Sequence, residues 1–189
     1  MKYQDDRKET PFSARDYMLD IWDHTLELCF RNFGKKKRKP PKEPSNFAEW
    51  SPESRDRWTA QQQEKLAMAE AFDATFIQNE TRVLDALCRK IVFSIDAANT
   101  MPTIYVCECE AVRLKQDEAI GLCSNLKREL NHIAMTLPSN ANYLAKLTAE
   151  IDKEIRILSG WRKSCNGLRE KAILFEKQQR QRIEEPTTE

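Results

Sequence analysis

From position 139 to about 178 the apolar residues recur on a heptad. Leu144, Leu147, Ile151, Leu158, Trp161, Cys165, Leu168, Ala172 and Phe175 hold the register, and only Glu154 is out of class. Ile155, Ile157 and Ile173 widen the stripe beyond a bare coiled-coil seam, which predicts a helix of about forty residues covered by two or more others. Gly160 and Gly167 fall inside the run, yet the stripe keeps phase across both. A continuous helix is therefore expected, with any bend near Gly167.

The rest of the chain reads in the same period. Ser13 is a good N-cap for a helix through Asn32 that buries Tyr17, Met18, Ile21, Trp22, Leu26, Leu28, Cys29 and Phe33, with Gly34 able to end it. Ser51-Pro52-Glu53 is a helix start, with a capping hydroxyl, a proline at the first helical position and an acid near the positive end. No glycine or proline follows before Ala98, and Leu66, Ala69, Phe72, Phe76, Val83, Leu84, Leu87, Ile91, Ile95 and Ala98 keep helical spacing. The polar stretch Gln78 to Thr81 marks where that long helix has room to bend or break. Thr103 is expected to cap a third helix running to about Met135 through Cys107, Ala111, Leu114, Ala119, Leu122, Cys123, Leu126, Leu130 and Ile133. Gly121 inside it costs ~1 kcal/mol relative to alanine and so points to a close helix–helix approach. Leu137-Pro138 turns the chain into the fourth helix, with Ser139 or Asn140 as its cap.

Composition narrows the class. Hydrophobic residues make up 40% of the 189-residue chain and charged residues 32%, with only 4 glycines, which suits a helical domain with a heavily charged surface. A formal net charge of +1 excludes a simple polycation, so any polyanion surface needs local segregation of charge. No stretch approaches the ~18–20 apolar residues of a membrane span. No apolar run follows Lys2, so a cytoplasmic location is expected. Five of the six cysteines sit on or beside apolar faces and read as packed, reduced thiols.

Charge is segregated in two places. Lys35, Lys36, Lys37, Arg38, Lys39 and Lys42, broken only by Pro40 and Pro41, form an extended linker with no acidic residue. Such a run reads either as phosphate contact or as an ordinary solvated loop. Between positions 150 and 183, nine basic residues face five acidic ones. Arg162, Lys163, Arg169, Lys177, Arg180 and Arg182 are positioned there to track a phosphate backbone.

Catalytic chemistry is not in view. There is no Ser-His-Asp set, histidine cluster or glycine-rich phosphate loop, so no enzyme activity and no cofactor are expected. Cys107 and Cys109 project about 200° apart on a helix and cannot grip one ion. His24 reads as a surface or packed side chain. His132 has no Cys or His four residues on, and a pair of Glu-x-x-His motifs is lacking, so no metal is expected. Glu118, Glu129, Glu150 and Glu154 sit at helical positions from which some could face the core, and they read chiefly as solvated carboxylates in one-turn pairs.

Three strings stand out: Ala97-Ala98-Asn99, Arg113-x-x-Gln116-x-x-Ala119-Ile120-Gly121, and Arg156-Ile157-Leu158-x-Gly160-Trp161-Arg162-Lys163-Ser164-x-Asn166. Through them the segment 83–166, somewhat under half the chain, resembles the four-helix-bundle family that includes the accessory variability determinant of diversity-generating retroelements. Cys165 departs from the acidic residue expected there. The resemblance implies a non-enzymatic accessory subunit, a homo-oligomer (a pentamer in that family) with a basic surface. It further implies binding to the retroelement reverse transcriptase and its structured template RNA, in support of mutagenic cDNA synthesis. Arg156, Arg162 and Lys163 would then be basic contacts, and Trp161 would pack.

The expected fold is all-α, an antiparallel four-helix bundle with an N-terminal extension and a long C-terminal helix. The bundle would span 51–178, able to recruit the helix 13–33. Residues 1–50 would supply that helix and the basic linker, and 179–189 a polar tail. Helical stripes this broad equally suit an oligomeric scaffold or protein-interaction module that never touches nucleic acid.

Overall fold

In the computed structural model, residues 13–139 and 141–184 are described; the expectations for residues 1–11, for Asn140 as a cap and for the last residues of the tail lie outside them. Among the described residues the chain is helical without strands. It forms α1 (Ser13–Phe30), α2 (Pro52–Thr100), α3 (Val106–Thr136), α4 (Ala141–Ser164) and α5 (Asn166–Glu184), with short 3-10 turns at Asn32–Gly34 and Phe47–Glu49. α5 therefore carries the helix into the segment expected to be a polar tail.

Pairs of side chains reveal how the helices run. Arg15 and Trp22 of α1 meet Asp96 and Asp85 of α2, so residue numbers rise on one helix as they fall on the other. Lys127, Asp117 and Glu110 of α3 meet Asp152, Arg162 and Arg169 in the same descending order. His24 and Tyr17 of α1 meet Glu150 and Lys153 of α4. α1 thus packs on α2 and α4, and α3 on both α2 and α4, each contacting pair antiparallel around one core.

That core contains Met18, Ile21 and Phe33, then Leu84, Ile91 and Ile95, Leu126, Leu130 and Ile133, and Ile151 and Leu158, all essentially inaccessible. Fully burying one such side chain contributes about 1.5–3 kcal/mol. α1 supplies part of this core and is no appendage.

Several faces are rotated from the expected ones. The buried row on α3 is Cys109, Val112, Gln116, Ala119, Cys123, Leu126, Leu130 and Ile133, a strict alternation of three- and four-residue steps. Leu114 lies two residues off that row, which at 3.6 residues per turn turns it to the far side, where it is 70% exposed. On α2, Phe72 and Val83 are exposed, while Asp73 and Glu80 take inward positions. α2 itself is unbroken across Gln78 to Thr81.

The long C-terminal helix is interrupted at Cys165, two residues before the expected bend. Asn166 and Gly167, both weak helix formers, follow directly, and the Leu168 amide donates to the Cys165 carbonyl (3.1 Å) in a tightened turn. Beyond the break the heptad thins. Ala172 is buried, but Leu168 is exposed. α5 instead docks on the start of α3. Phe175 packs edge-on against Tyr105 (5.9 Å), and the Val106 amide donates to Glu176 Oε1 (2.9 Å). Glu108 accepts from the Ile104 and Tyr105 amides (2.9 and 3.0 Å). Two carboxylates, not Thr103, therefore satisfy the positive end of α3. Gly121 is exposed, and a Cβ built there meets nothing within 4 Å, so it permits no close helix approach.

The first twenty or so residues of α2 are different in kind. Asp73 is the first of its residues to be buried, so the helix from Pro52 to Phe72 projects past the end of α1. At 1.5 Å per residue this overhang is about 30 Å long.

Candidate nucleic-acid interface

The basic linker runs along that overhang as a strap. α1 ends in three successive left-handed residues, Asn32 (φ 50°), Phe33 (φ 55°) and Gly34 (φ 65°). Glycine adopts this conformation freely, whereas a bulky residue does so at a cost of order 1–2 kcal/mol. Complete burial of the Phe33 ring outweighs that cost and sets the direction in which the chain leaves α1. The Lys36 amide then donates to the Pro138 carbonyl (2.8 Å), tying the strap to the α3–α4 turn. At its far end Phe47 packs on Trp58 of α2 (5.0 Å) and on Trp50 (5.5 Å).

Between these anchors sits a charge clamp. Arg38 donates from Nε to Asp73 Oδ2 (2.8 Å) and from Nη2 to Oδ1 (2.7 Å), a two-pronged contact, and Lys35 Nζ lies 3.0 Å from Oδ2. Asp73 is fully buried. Its hydrogen bonds from Arg38, then those from Lys35, hold its pKa down at about 2 against burial. The Arg38 guanidinium is in turn held protonated more firmly than usual, chiefly by the same hydrogen bonds.

Nine of the basic residues expected at a phosphate surface, Lys35 to Lys39, Arg156, Arg162, Lys163 and Arg169, therefore divide. Lys35 and Arg38 turn inward as the clamp. Arg162 pairs with Asp117, its Nη2 donating to Oδ2 at 2.9 Å, and Arg169 reaches Glu110 at 3.4 Å. These four are structural ties, Lys35 and Arg38 between strap and α2, Arg162 and Arg169 between α4 or α5 and α3. Lys36, Lys37, Lys39, Arg156 and Lys163 are exposed and have no ion-pair partner among the described residues. The expected set is not one surface. Lys36, Lys37 and Lys39 come together with Lys65 of α2 around an open groove of about 510 Å³, which the partly exposed Arg38 and Leu66, Ala69, Pro41 and Pro138 also line. Arg156 and Lys163 lie on α4, away from it.

Glu154 was expected to be a solvated carboxylate; it is completely buried and neither oxygen has a hydrogen-bond partner. Ile151 and Leu158, three before and four after, face the core, so the helix turns position 154 inward whatever residue occupies it. Burial pushes its pKa up to about 8. Glu118 and Glu150, by contrast, do pair with Lys115 and Lys146 one turn away.

The cysteines are free, and Cys29, Cys88, Cys109 and Cys123 are buried. Burial raises the thiols of Cys88, to about 12, and of Cys123 further. Trp161 is half-buried against the core. Among the described residues no helix is long and apolar enough to cross a membrane. Compared with protein-family models, with curated proteins and with solved structures, the chain matches none.

Proposed function

We propose that this chain is a non-catalytic RNA-binding accessory protein, an antiparallel four-helix bundle that presents a pre-formed basic strap to structured RNA. The observation that carries the reading is the split within the strap. Lys35 and Arg38 are spent on Asp73, which holds Lys36, Lys37 and Lys39 outward around one groove with Lys65. Fixing the backbone beforehand lowers the ordering cost of binding, and the exposed ammoniums supply the phosphate contacts. The resemblance carried by the Arg156–Asn166 string extends the reading to a retroelement reverse transcriptase and its template RNA as partners, with mutagenic cDNA synthesis as the process served and a homo-oligomer as the form.

The test is filter binding of a structured RNA across a salt series. Replacing Lys36, Lys37 and Lys39 together by Glu is expected to abolish binding at moderate salt and to flatten the salt slope by about 2–3 logarithmic units per decade. Affinity no better than that of a neutral control protein at low salt, or an unchanged slope in the triple variant, defeats the proposal.

One observation favours a second reading, a protein-binding scaffold without RNA. Phe30, Phe93, Leu114 and Met135 are large apolar side chains more than 65% exposed. Light scattering then shows an oligomer whose mass is indifferent to salt and nuclease.

A further inference from the structure

Glu129 and His132 stand three residues apart on α3, so their side chains share a face. α2 brings Glu80 against them. His132 Nδ1 lies 3.9 Å from Glu80 Oε1 and 4.0 Å from Glu129 Oε2. One donor atom from each of the three residues falls within 4.8 Å of the other two. Phe76 packs edge-on against the imidazole (5.4 Å between ring centroids).

Glu80 is the unusual member. It is only 9% exposed, and its Oε2 has no hydrogen-bond partner. Among the described residues no lysine or arginine pairs with it, and the basic group that faces it is the His132 imidazole. Burial, then the charge of Glu129, pushes its carboxyl up from the ordinary value, and His132 opposes this. A buried carboxylate facing a second one, with an imidazole as the only relief, is poorly solvated as it stands. A cation placed among the three would complete it.

We propose that Glu80, Glu129 and His132 bind a first-row divalent transition ion, Zn²⁺ or a close relative, that ties α2 to α3. One imidazole beside two carboxylates selects such an ion over Mg²⁺ or Ca²⁺, which prefer oxygen alone. Bonds of about 2.0–2.2 Å in a tetrahedral site place donor atoms about 3.3–3.6 Å apart, so the two His132 separations contract by several tenths of an ångström and the Glu80–Glu129 separation, within 4.8 Å, by up to about 1.5 Å. Rotation of the exposed His132 and half-buried Glu129 side chains provides that movement while Glu80 stays fixed. Three protein donors leave a position for water. The assignment is independent of the RNA-binding reading.

The experiment is titration of the full chain with Co²⁺ alone, followed by visible absorption, then displacement by Zn²⁺. The expected result is saturable uptake of one Co²⁺ per chain, with d–d bands of a low-coordinate site and no thiolate charge-transfer band. Glu129→Gln and His132→Ala are each expected to weaken uptake at least tenfold, and Glu80→Gln likewise. Because position 80 is buried, its variant is compared only if its circular dichroism is native, and the two outer variants suffice if it is not. Three results each overturn the assignment: no saturable uptake, a thiolate band that places the ion on cysteine, or unchanged affinity in both outer variants.

Discussion

Replacing Asp73 by Asn removes the charge that holds the strap while keeping the shape of the side chain. A carboxyl held at about 2 instead of the ordinary 3.8 corresponds to about 2.5 kcal/mol at ~1.4 kcal/mol per unit. The Lys35 and Arg38 side chains retain 19% and 33% of their exposure, so solvent screens the clamp and about 1–2 kcal/mol is the expected net. A depressed folded pKa means the contribution is complete above the unfolded pKa, near 3.9, and is lost as pH falls toward about 2. Urea midpoints of both proteins, measured in steps from about pH 7 to about pH 2, should show a gap of about 1–2 kcal/mol that closes only below about pH 4. Carboxylates common to the two proteins cancel in that difference. A gap that persists undiminished at the acid end, or one smaller than ~0.3 kcal/mol at neutral pH, refutes the clamp as described. Trypsin offers an independent readout, since the variant strap should be cut faster after Lys36 and Lys37, the Lys39–Pro40 bond being resistant.

Four further outcomes follow from the same geometry. Glu154→Leu should stabilise the protein by about 1–3 kcal/mol near pH 8, because it replaces an unpartnered buried carboxyl with an apolar side chain. The wild type should lose stability as pH rises from about 4.5 toward about 8, since an acid with a raised folded pKa favours folding while protonated; that slope should be shallower in the variant, measured as urea midpoints. Gly121→Ala should raise thermal stability by about 0.5–1 kcal/mol, having open space for its methyl group, and a loss by calorimetry contradicts this. Leu126→Ala should cost about 2–5 kcal/mol in chemical denaturation, as a fully buried side chain at the centre of α3. With an aromatic disulfide reagent the exposed Cys107 should react at once, and Cys88 and Cys123 only as fast as the chain unfolds.

Helix periods made most of this architecture readable from the residues alone. The α4 stripe from Leu144 to Leu158 is buried as its spacing predicts, because a heptad states which face is inside without reference to any partner. Glu154 shows the same rule from its other side. It sat in register and was set apart only for its chemistry, and position prevailed. What spacing could not supply was the partner element. Nothing in the spacing marks Asp73 or Glu80 as inward, because the cations that face the first come from 35 and 38 positions away and the imidazole that faces the second from 52. Leu114 and Phe72 looked like core, because an apolar residue one or two steps off the row is indistinguishable from one on it until the neighbouring helix is in place. The basic run was legible as charge but not as a division of labour between inward and outward side chains. Glu129-x-x-His132 was legible too, as a single motif where only a pair was sought.

The overhang of α2 has a consequence for how the molecule breathes. From Pro52 to Phe72 the helix has no buried residue of its own and leans on the strap, so its amides should exchange with solvent long before those around Ile91. One unbroken rod of 49 residues would thus belong to two cooperative units, with the boundary at the turn containing Asp73. Whatever grips the strap would then stiffen a lever some 30 Å long without the core having to move.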